Sequence, residues 1–346
     1  MIYILITIIF VLISPSAAAV ELTAPTVPNS GAEFMPRDTS SFGEGVISIL
    51  EKAVGSLRPD LKEAALLCMG LCGIVLLLSL VKTFPGETGR VTNLVGVVSV
   101  GSLLLQRTNT LVHLGVDTIQ EISNYGKLLL PVMTAALAAQ GGLSGSAVLY
   151  SGTVLFDCLL SHLISGFITP MIYLYLALAA ANSAVGEDIL KKFRDFIKWL
   201  MTWCLKTVLY VFTGYMGITG VVSGTTDAAA LKAAKLTISG MVPVVGGILS
   251  DASEAVLVSA GIVKNAAGVY GLLAALSVCV GPFLKIGSHY LMLKITGALC
   301  SVYGSKEISS FIGDFSTAMG LLLGMTGAVC LLLLISTVCF LRGVGG

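Results

Sequence analysis

Long, predominantly apolar stretches constrain this chain more than any other feature. Nine such stretches occur, at 64–81, 91–105, 128–139, 147–164, 168–185, 199–222, 255–280, 286–302 and 318–341. The first, fourth, fifth, sixth, seventh and ninth are long enough to cross about 30 Å of hydrocarbon as helices. The other three are short or carry charges. The pattern predicts an all-α, polytopic integral membrane protein with about eight transmembrane helices, in a range of about seven to nine.

The composition argues against two other classes of protein. Hydrophobic residues make up 55% of the 346 residues and charged residues 11%, whereas soluble domains have about 45–50% and about 25%. This balance favours a membrane protein over a soluble globular one. The formal net charge of +1 excludes a protein that binds nucleic acid electrostatically.

The N-terminus resembles an export signal. An apolar core at 4–13 precedes three alanines at 17–19, which predicts a signal peptide over 1–19. Because no Lys or Arg precedes that core, an uncleaved membrane anchor is the alternative to a cleaved signal peptide. After cleavage, 20–63 would be an extracytoplasmic N-terminal region. Its polar, Pro-rich part, 21–41, is expected to be disordered, and 46–61 is predicted as an amphipathic helix that ends near Pro59. Residues 64–346 would form the polytopic membrane domain.

Positive charges in short loops give the expected orientation, because such loops stay in the cytoplasm. The richest short loop is 186–198, which contains Lys191, Lys192, Arg194 and Lys198. Five crossings from an extracytoplasmic N-terminus place this loop in the cytoplasm, and nine place Arg342 and the C-terminus there as well. Two further amphipathic stretches are expected to lie on the membrane surface or to dock a partner subunit. One runs over 111–125, with His113, Asp117, Gln120, Glu121 and Asn124 on its wet side, and the other has Ile189, Phe193, Ile197 and Leu200 on its apolar face.

Asp157 is the most unusual ionisable residue, because it lies in the middle of 147–164. An ionised carboxylate there costs about 2.5–3.5 kcal/mol. Ser161 on the same helix, or a basic residue on another helix such as Lys206 or Lys294, is expected to compensate it. Structural hydrogen bonding is the favoured interpretation, and a role in an ion path is left open.

Catalytic patterns are missing from the sequence. The three histidines, His113, His162 and His289, are scattered, and no cysteine pattern has the spacing of a zinc site. The eight cysteines all lie in apolar segments and are expected to pack as small apolar residues. The sequence therefore predicts no enzyme, no cofactor and no metal.

The most distinctive part of the chain is 214–265. Thr226 or Asp227 can cap a helix that carries Lys232 and Lys235, and Pro243 then interrupts it. Asp251 and Glu254 resemble a capping box that opens the next helix, which carries Lys264 and Asn265. This order predicts a re-entrant or broken membrane segment. The candidate residues for lining a conduit or contacting a partner are Asp157, Asp227, Lys232, Lys235, Pro243, Asp251, Glu254, Lys264 and Asn265.

The block TTDAAALKAAKLTISGMVPVVGGILSDASEAVLVSAGIVKNAAGVYGLLA, at 225–274, resembles the stage III sporulation protein AE family of endospore-forming bacteria. The resemblance implies a multi-pass protein of the mother-cell membrane that surrounds the forespore. It also implies membership of the channel complex required for endospore formation, with the other stage III A proteins and, through the complex, stage II Q as partners. The lipid bilayer is a further partner, and a homo-oligomer is left open. The alternative is a stand-alone secondary transporter, a permease for a small solute, with Asp157 and the region around Pro243 as its site. Because transporters are commonly built from paired repeats and this block has no second copy, the complex subunit is favoured.

Overall fold

A computed structural model describes residues 25–38, 41–82, 89–139, 143–218, 266–303 and 306–343. These ranges are helical and contain no strand, which confirms the predicted all-α class. The helices are α1 (Asn29–Ala32), α2 (Phe42–Lys82), α3 (Gly89–Ala139), α4 (Leu143–Leu163), α5 (Thr169–Val185), α6 (Asp188–Ile218), α7 (Ala266–Tyr303) and α8 (Lys306–Gly343), with a π-helical segment, Ile164–Ile168, between α4 and α5.

Helix α8 forms the centre of the bundle. It contacts α3, α4, α5, α6 and α7, whereas α2 packs on the outside against α7 and α3. In the most apolar part of α8, 89% of the residues are buried, against 22% in the corresponding part of α2. A helix that is apolar on all sides is stable at such a central position, and α2 is left with a large apolar surface facing outwards.

Contacts along α8 fix the directions of its neighbours. Gly96 of α3 faces Ile308, and Gly126 faces Leu333, so α3 runs parallel to α8. Helix α7 is antiparallel to α8, because Ser309 donates a hydrogen bond to Gly297 O and Ser316 donates one to Tyr290 O. The long helices of the described ranges thus alternate in direction. We call the end at which α8 begins the basic end, and the end at which α8 finishes the far end.

The number of predicted crossings is not confirmed. Residues 147–164 and 168–185 lie in one continuous helical stretch, formed by α4, the π-helical segment and α5, so the chain does not reverse between them. The stretch 286–302 and the described part of 255–280 likewise share α7. In the described residues, four helices have the length and apolar composition to cross a membrane. They are Phe42–Val81, Leu149–Val185, Gly268–Val302 and Lys306–Phe340.

The π-helical segment explains how α4 and α5 stay joined. Pro170, at the start of α5, has no N–H to donate into the preceding turn. The wider turn at Ile164–Ile168 accommodates this loss, and Thr169 Oγ1 donates to Ile164 O at 2.8 Å. The stretch ends at Gly186, whose left-handed conformation (φ 80°) lets its N–H bond to Asn182 O at 2.8 Å.

The predicted disorder of the N-terminal region is wrong for residues 25–38. Helix α1 packs against α7, where Gly31 approaches the backbone of Val278. Phe34 is buried, and Lys52 Nζ donates to Met35 O at 2.6 Å. One buried aromatic side chain and a close backbone approach hold this short segment in place. The predicted signal peptide lies outside the described residues.

Two predicted amphipathic helices belong to longer ones. Pro59 does not end the first, because α2 continues through it to Lys82. The second, 111–125, lies within α3, and its apolar residues Val112, Ile119 and Ile122 are buried in the bundle rather than lying on a membrane surface. Packing against α7 and α8 outweighs the local pattern that suggested separate surface helices.

The two positively charged markers used for orientation lie at opposite ends of α8. Arg194 contacts Asp314, in the first part of the helix. Arg342 follows about 42 Å further along, at 1.5 Å per residue. If α8 crosses the membrane, it separates the loop 186–198 from the end of the chain. The prediction that both are cytoplasmic therefore conflicts with a membrane-spanning α8.

Candidate functional site

A buried carboxylate, Asp314, joins three helices. Tyr175 Oη of α5 donates to Asp314 Oδ1 at 2.8 Å, and Arg194 Nη1 of α6 donates to Oδ2 at 2.7 Å. All three side chains are buried. Both carboxylate oxygens are thus engaged, one by a neutral donor and one by a cation. Charge-assisted bonds of this kind are about twice as strong as neutral ones, so the cluster fastens α5 and α6 to α8.

The rest of the Arg194 guanidinium is also occupied. Its Nε and Nη2 donate to Asp195 Oδ1 at 3.1 and 3.0 Å, and the Asp195 side chain is exposed. Burial alone lowers the pKa of Arg194, but the carboxylates of Asp314 and Asp195 raise it, and the net pKa shift is upward. Arg194 therefore stays charged and cannot serve as a proton donor. The arrangement holds α5 and α6 in register with α8.

Asp157 makes a second contact between helices. Ser123 Oγ of α3 donates to Asp157 Oδ2 at 2.6 Å, and Lys127 lies one turn further along α3. The predicted role of Ser161 is wrong, and the basic residue on another helix is Lys127 rather than Lys206 or Lys294. Ser161 Oγ is buried without a hydrogen-bond partner among the described residues, and Asp157 is compensated from α3 instead.

We expect Asp157→Asn to change the free energy of unfolding by less than about 1 kcal/mol, because the amide keeps an oxygen that accepts from Ser123. Asp157→Leu leaves the buried Ser123 hydroxyl without an acceptor and is expected to cost about 1–3 kcal/mol. Equilibrium unfolding in mixed detergent micelles measures both. Adding Ser123→Ala to Asp157→Leu should recover part of the loss. An equal cost for the Asn and Leu variants would show that the negative charge itself is required.

Helix α3 presents a continuous row of polar side chains outwards, which we call the polar face. Its members recur every three or four residues and are Arg107, Thr110, His113, Asp117, Gln120, Asn124 and Lys127, all exposed. The predicted polar side of 111–125 is exposed as its spacing indicated, except that Glu121 is half-buried. In the first half of α3 the corresponding surface is apolar, with Val91 and Val98 exposed.

The polar face continues onto α4 and α5. Tyr173 Oη donates to Asn109 Oδ1 at 2.7 Å, and His162 and Ser165 are exposed on the neighbouring helical stretch. On its other side, Arg107 forms an ion pair with Glu63 of α2. The polar face is therefore bordered by polar contacts on both sides rather than being a row of isolated groups.

Asp157 is the predicted site residue that falls within the described ranges. Asp227, Lys232, Lys235, Pro243, Asp251, Glu254, Lys264 and Asn265 lie outside them, so their roles stay predictions. Sequence reasoning missed Tyr175, Arg194 and Asp314. One signal was available: Asp314 is a carboxylate at the start of a long apolar helix and needs a cation from elsewhere. In the described ranges, no three His, Cys, Asp or Glu side chains are grouped closely enough to hold a metal.

Comparison with known proteins gives the family. Residues 38–343 match the sequence profile described as Stage III sporulation protein AE (spore_III_AE). The chain belongs to the stage III sporulation protein AE family. This membership confirms the resemblance seen at 225–274 and implies a role in sporulation. The family is one of sporulation membrane proteins and is not a known enzyme family.

A named relative shows how far the similarity extends. Over 235 residues the chain is 22% identical to Stage III sporulation protein AE of Bacillus subtilis (strain 168). These residues make up 68% of this chain and 59% of that protein. The chain thus aligns with less than two thirds of that stage III sporulation protein AE. No solved structure matches the chain.

Proposed function

We propose that this chain is a membrane subunit of the mother cell–forespore channel complex required for endospore formation. The other stage III A proteins and, through the complex, stage II Q are its proposed partners. Family membership supports a role in sporulation, and the polar face of α3 is the structural observation that favours a subunit over a protein that works alone.

The polar face lies beside the middle of the central apolar helix. Gly115, between His113 and Asp117, faces Leu322 and Thr326 of α8. A charged side chain exposed to hydrocarbon at such a depth costs about 2.5–3.5 kcal/mol. Polar surface at membrane depth persists where protein or water covers it. A neighbouring subunit that covers the polar face, or encloses a water-filled passage with it, removes this cost.

We expect Asp117→Leu to weaken assembly while the protein remains in the membrane. The change makes the polar face less polar without touching the buried side of α3, so folding is preserved. Affinity purification from sporulating cells after gentle solubilisation should recover less of the other stage III A proteins than the unchanged chain does, and spore yield should fall. Ser102→Leu is the matched control, because Ser102 is exposed in the apolar half of the same helix. Full recovery of partners with Asp117→Leu would contradict the proposal.

We also propose a revised orientation. Gly45 of α2 faces Leu273, Gly271 faces Leu129, and Gly126 faces Leu333, so α2 begins at the far end, where α8 finishes. An N-terminus outside the cytoplasm then places the far end outside as well. The basic loop 186–198 lies at the basic end, on the cytoplasmic side, as its lysines favour.

Reporters fused after Gly186 and after Gly346 are expected to lie on opposite sides of the membrane, the first in the cytoplasm and the second outside. The reason is that α8 separates the two ends of the bundle. Enzyme reporters that are active on one side alone give a yes-or-no answer, and a fusion after Ala139, at the far end, serves as the outside control. Two cytoplasmic readings from Gly186 and Gly346 would restore the orientation expected from charge counting.

The stand-alone secondary transporter is less well supported. Its proposed site includes Asp157, whose carboxylate accepts a hydrogen bond from Ser123 in a contact between α3 and α4. A chain that purifies without other sporulation proteins, and that catalyses solute uptake in vesicles, would favour this alternative.

A further inference from the structure

The outward side of α6 carries a ladder of four aromatic rings. The ring centroids of Phe193 and Phe196 are 6.4 Å apart, those of Phe196 and Trp199 5.9 Å, and those of Trp199 and Trp203 6.1 Å. Each of the four residues is about half exposed, between 49% and 57%. We call these four residues the aromatic ladder. Four large rings in contact with one another but not buried in the bundle require an external environment that suits aromatic side chains.

The buried contacts of α6 fix which side faces out. Arg194, Ile197, Met201 and Leu205 are buried, and the bond from Arg194 to Asp314 prevents the helix from rotating about its axis. Sequence reasoning placed Ile197 on one apolar face with Ile189 and Phe193. The structure separates them, because Ile197 is buried while Ile189 and Phe193 are exposed. The aromatic ladder is therefore held outwards and cannot turn into the core.

The exposed residues of α6 change in character along the helix. Lys191 and Lys192 are exposed near its start, and Lys198 is half-exposed beside the aromatic ladder. Tyr210 and Val211 are exposed further on. Apart from Lys206, which is half-exposed between Trp203 and Tyr210 and has a side chain long enough to reach the interface, the order is cationic, then aromatic, then apolar. This is the order of environments across one leaflet, from charged headgroups through the interfacial region to hydrocarbon.

The acidic residues near the start of α6 have other favourable interactions. Asp195 is occupied by Arg194. Glu187 and Asp188 lie at the beginning of α6, where negative charge is favoured by the positive end of the helix dipole. Lys191, Lys192 and Lys198 are therefore the cations near the start of α6 that can face an anionic surface. Lysine is depleted at the centres of protein–protein interfaces, so lipid suits this surface better than a protein partner does.

We propose that the first half of α6 is a binding surface for anionic lipid. The aromatic ladder lies in the interfacial region of the bilayer, and Lys191, Lys192 and Lys198 contact lipid phosphates. The surface also fixes the depth of the bundle, because it places the cluster of Arg194 and Asp314 at the headgroup level rather than in the hydrocarbon. This inference is independent of which subunits the chain assembles with.

Intrinsic fluorescence tests the position of the aromatic ladder directly. The chain has two tryptophans, Trp199 and Trp203, and both belong to it. The full chain is reconstituted into vesicles whose lipids carry bromine either near the glycerol backbone or near the ends of the acyl chains. Shallow bromine is expected to quench strongly and deep bromine weakly. Stronger quenching by deep bromine would overturn the interfacial placement. Lack of quenching by either lipid, or quenching that disappears as the protein-to-lipid ratio rises, would indicate a protein partner or a second copy and would also overturn it.

Energy transfer from the same tryptophans tests the lysines. The vesicles contain phosphatidylcholine with about one third phosphatidylglycerol. Separate samples receive a trace of dansyl-labelled phosphatidylcholine or of dansyl-labelled phosphatidylglycerol, so that energy transfer from the tryptophans reports which lipid lies beside α6. We expect severalfold enrichment of the anionic lipid for the unchanged chain. The triple variant Lys191→Gln, Lys192→Gln and Lys198→Gln should lose it, at up to about fivefold per lysine.

Two further variants make the lysine experiment decisive. Lys294→Gln on α7 removes an exposed lysine elsewhere and should leave the enrichment unchanged. Replacing the same three lysines by arginine keeps the charge and should also retain it. Far-ultraviolet circular dichroism confirms that each variant is folded. Unchanged enrichment in the folded triple glutamine variant would overturn the proposal.

Discussion

Replacing Asp314 by alanine is expected to lower the free energy of unfolding by about 3–5 kcal/mol, the usual cost of removing one partner from a buried ion pair. The loss is large because Arg194 keeps its charge in a buried position and because the Tyr175 hydroxyl loses its acceptor. Arg194→Ala should cost a similar amount, since it leaves the Asp314 carboxylate buried with one neutral donor. Equilibrium unfolding in mixed detergent micelles measures both.

A double variant separates the contribution of the charges from that of packing. Arg194→Met combined with Asp314→Leu removes both charges and fills similar volumes, so it should recover most of the stability that either single change loses. Asp195→Asn is the control, because that side chain is exposed and contacts the same guanidinium. A double variant that is as unstable as the sum of the single ones would mean that the pair is not a coupled unit.

Gly152→Val is expected to destabilise the contact between α4 and α6 by about 1–3 kcal/mol, the cost of overpacking a core. Gly152 is buried, and a Cβ at this position would lie 2.7 Å from Cζ of Tyr215. The ring of Tyr215 also packs on Phe156, with centroids 5.8 Å apart, so moving it disturbs a second contact.

Gly214→Val is the matched control for this prediction. It adds the same side chain next to Tyr215 in sequence, but a Cβ on Gly214 meets nothing within 4 Å. The double variant Gly152→Val and Tyr215→Ala should be more stable than additivity predicts, because removing the ring makes room for valine. Equal losses from Gly152→Val and Gly214→Val, measured by thermal unfolding in detergent, would mean that the close approach does not limit packing.

Periodicity along one helix was enough to predict several features of the fold. The apolar stretches predicted an all-α protein, and the spacing of His113, Asp117 and Gln120 predicted the exposed side of α3. Such features depend on neighbours three or four residues away, which a sequence displays directly. The orientation of α6 was only partly predicted, because Arg194 takes a buried position that a hydrophobicity pattern assigns to an apolar residue.

Features that depend on distant contacts were missed. Arg194 and Asp314 are 120 residues apart in sequence, and neither has a local pattern that points to the other. For Asp157 a basic residue on another helix was predicted, but neither Lys127 nor the hydrogen-bond donor Ser123 was singled out. The continuity of α4 and α5 was missed because Ser165, Gly166 and Pro170 resemble a break, whereas the π-helical segment and Thr169 satisfy the backbone there.

The central position of α8 has a consequence for how the protein is made. The other helices of the described ranges leave the ribosome before the helix around which they pack. Asp314 follows Arg194 by 120 residues in the sequence. At about 5–20 residues per second, it is synthesised roughly 6–24 s after Arg194. During that interval the inserted helices surround no core, and an arginine destined for burial has no counter-charge. Membrane insertion of this chain therefore passes through an incomplete bundle that the insertion machinery or surrounding lipid must stabilise until α8 is inserted.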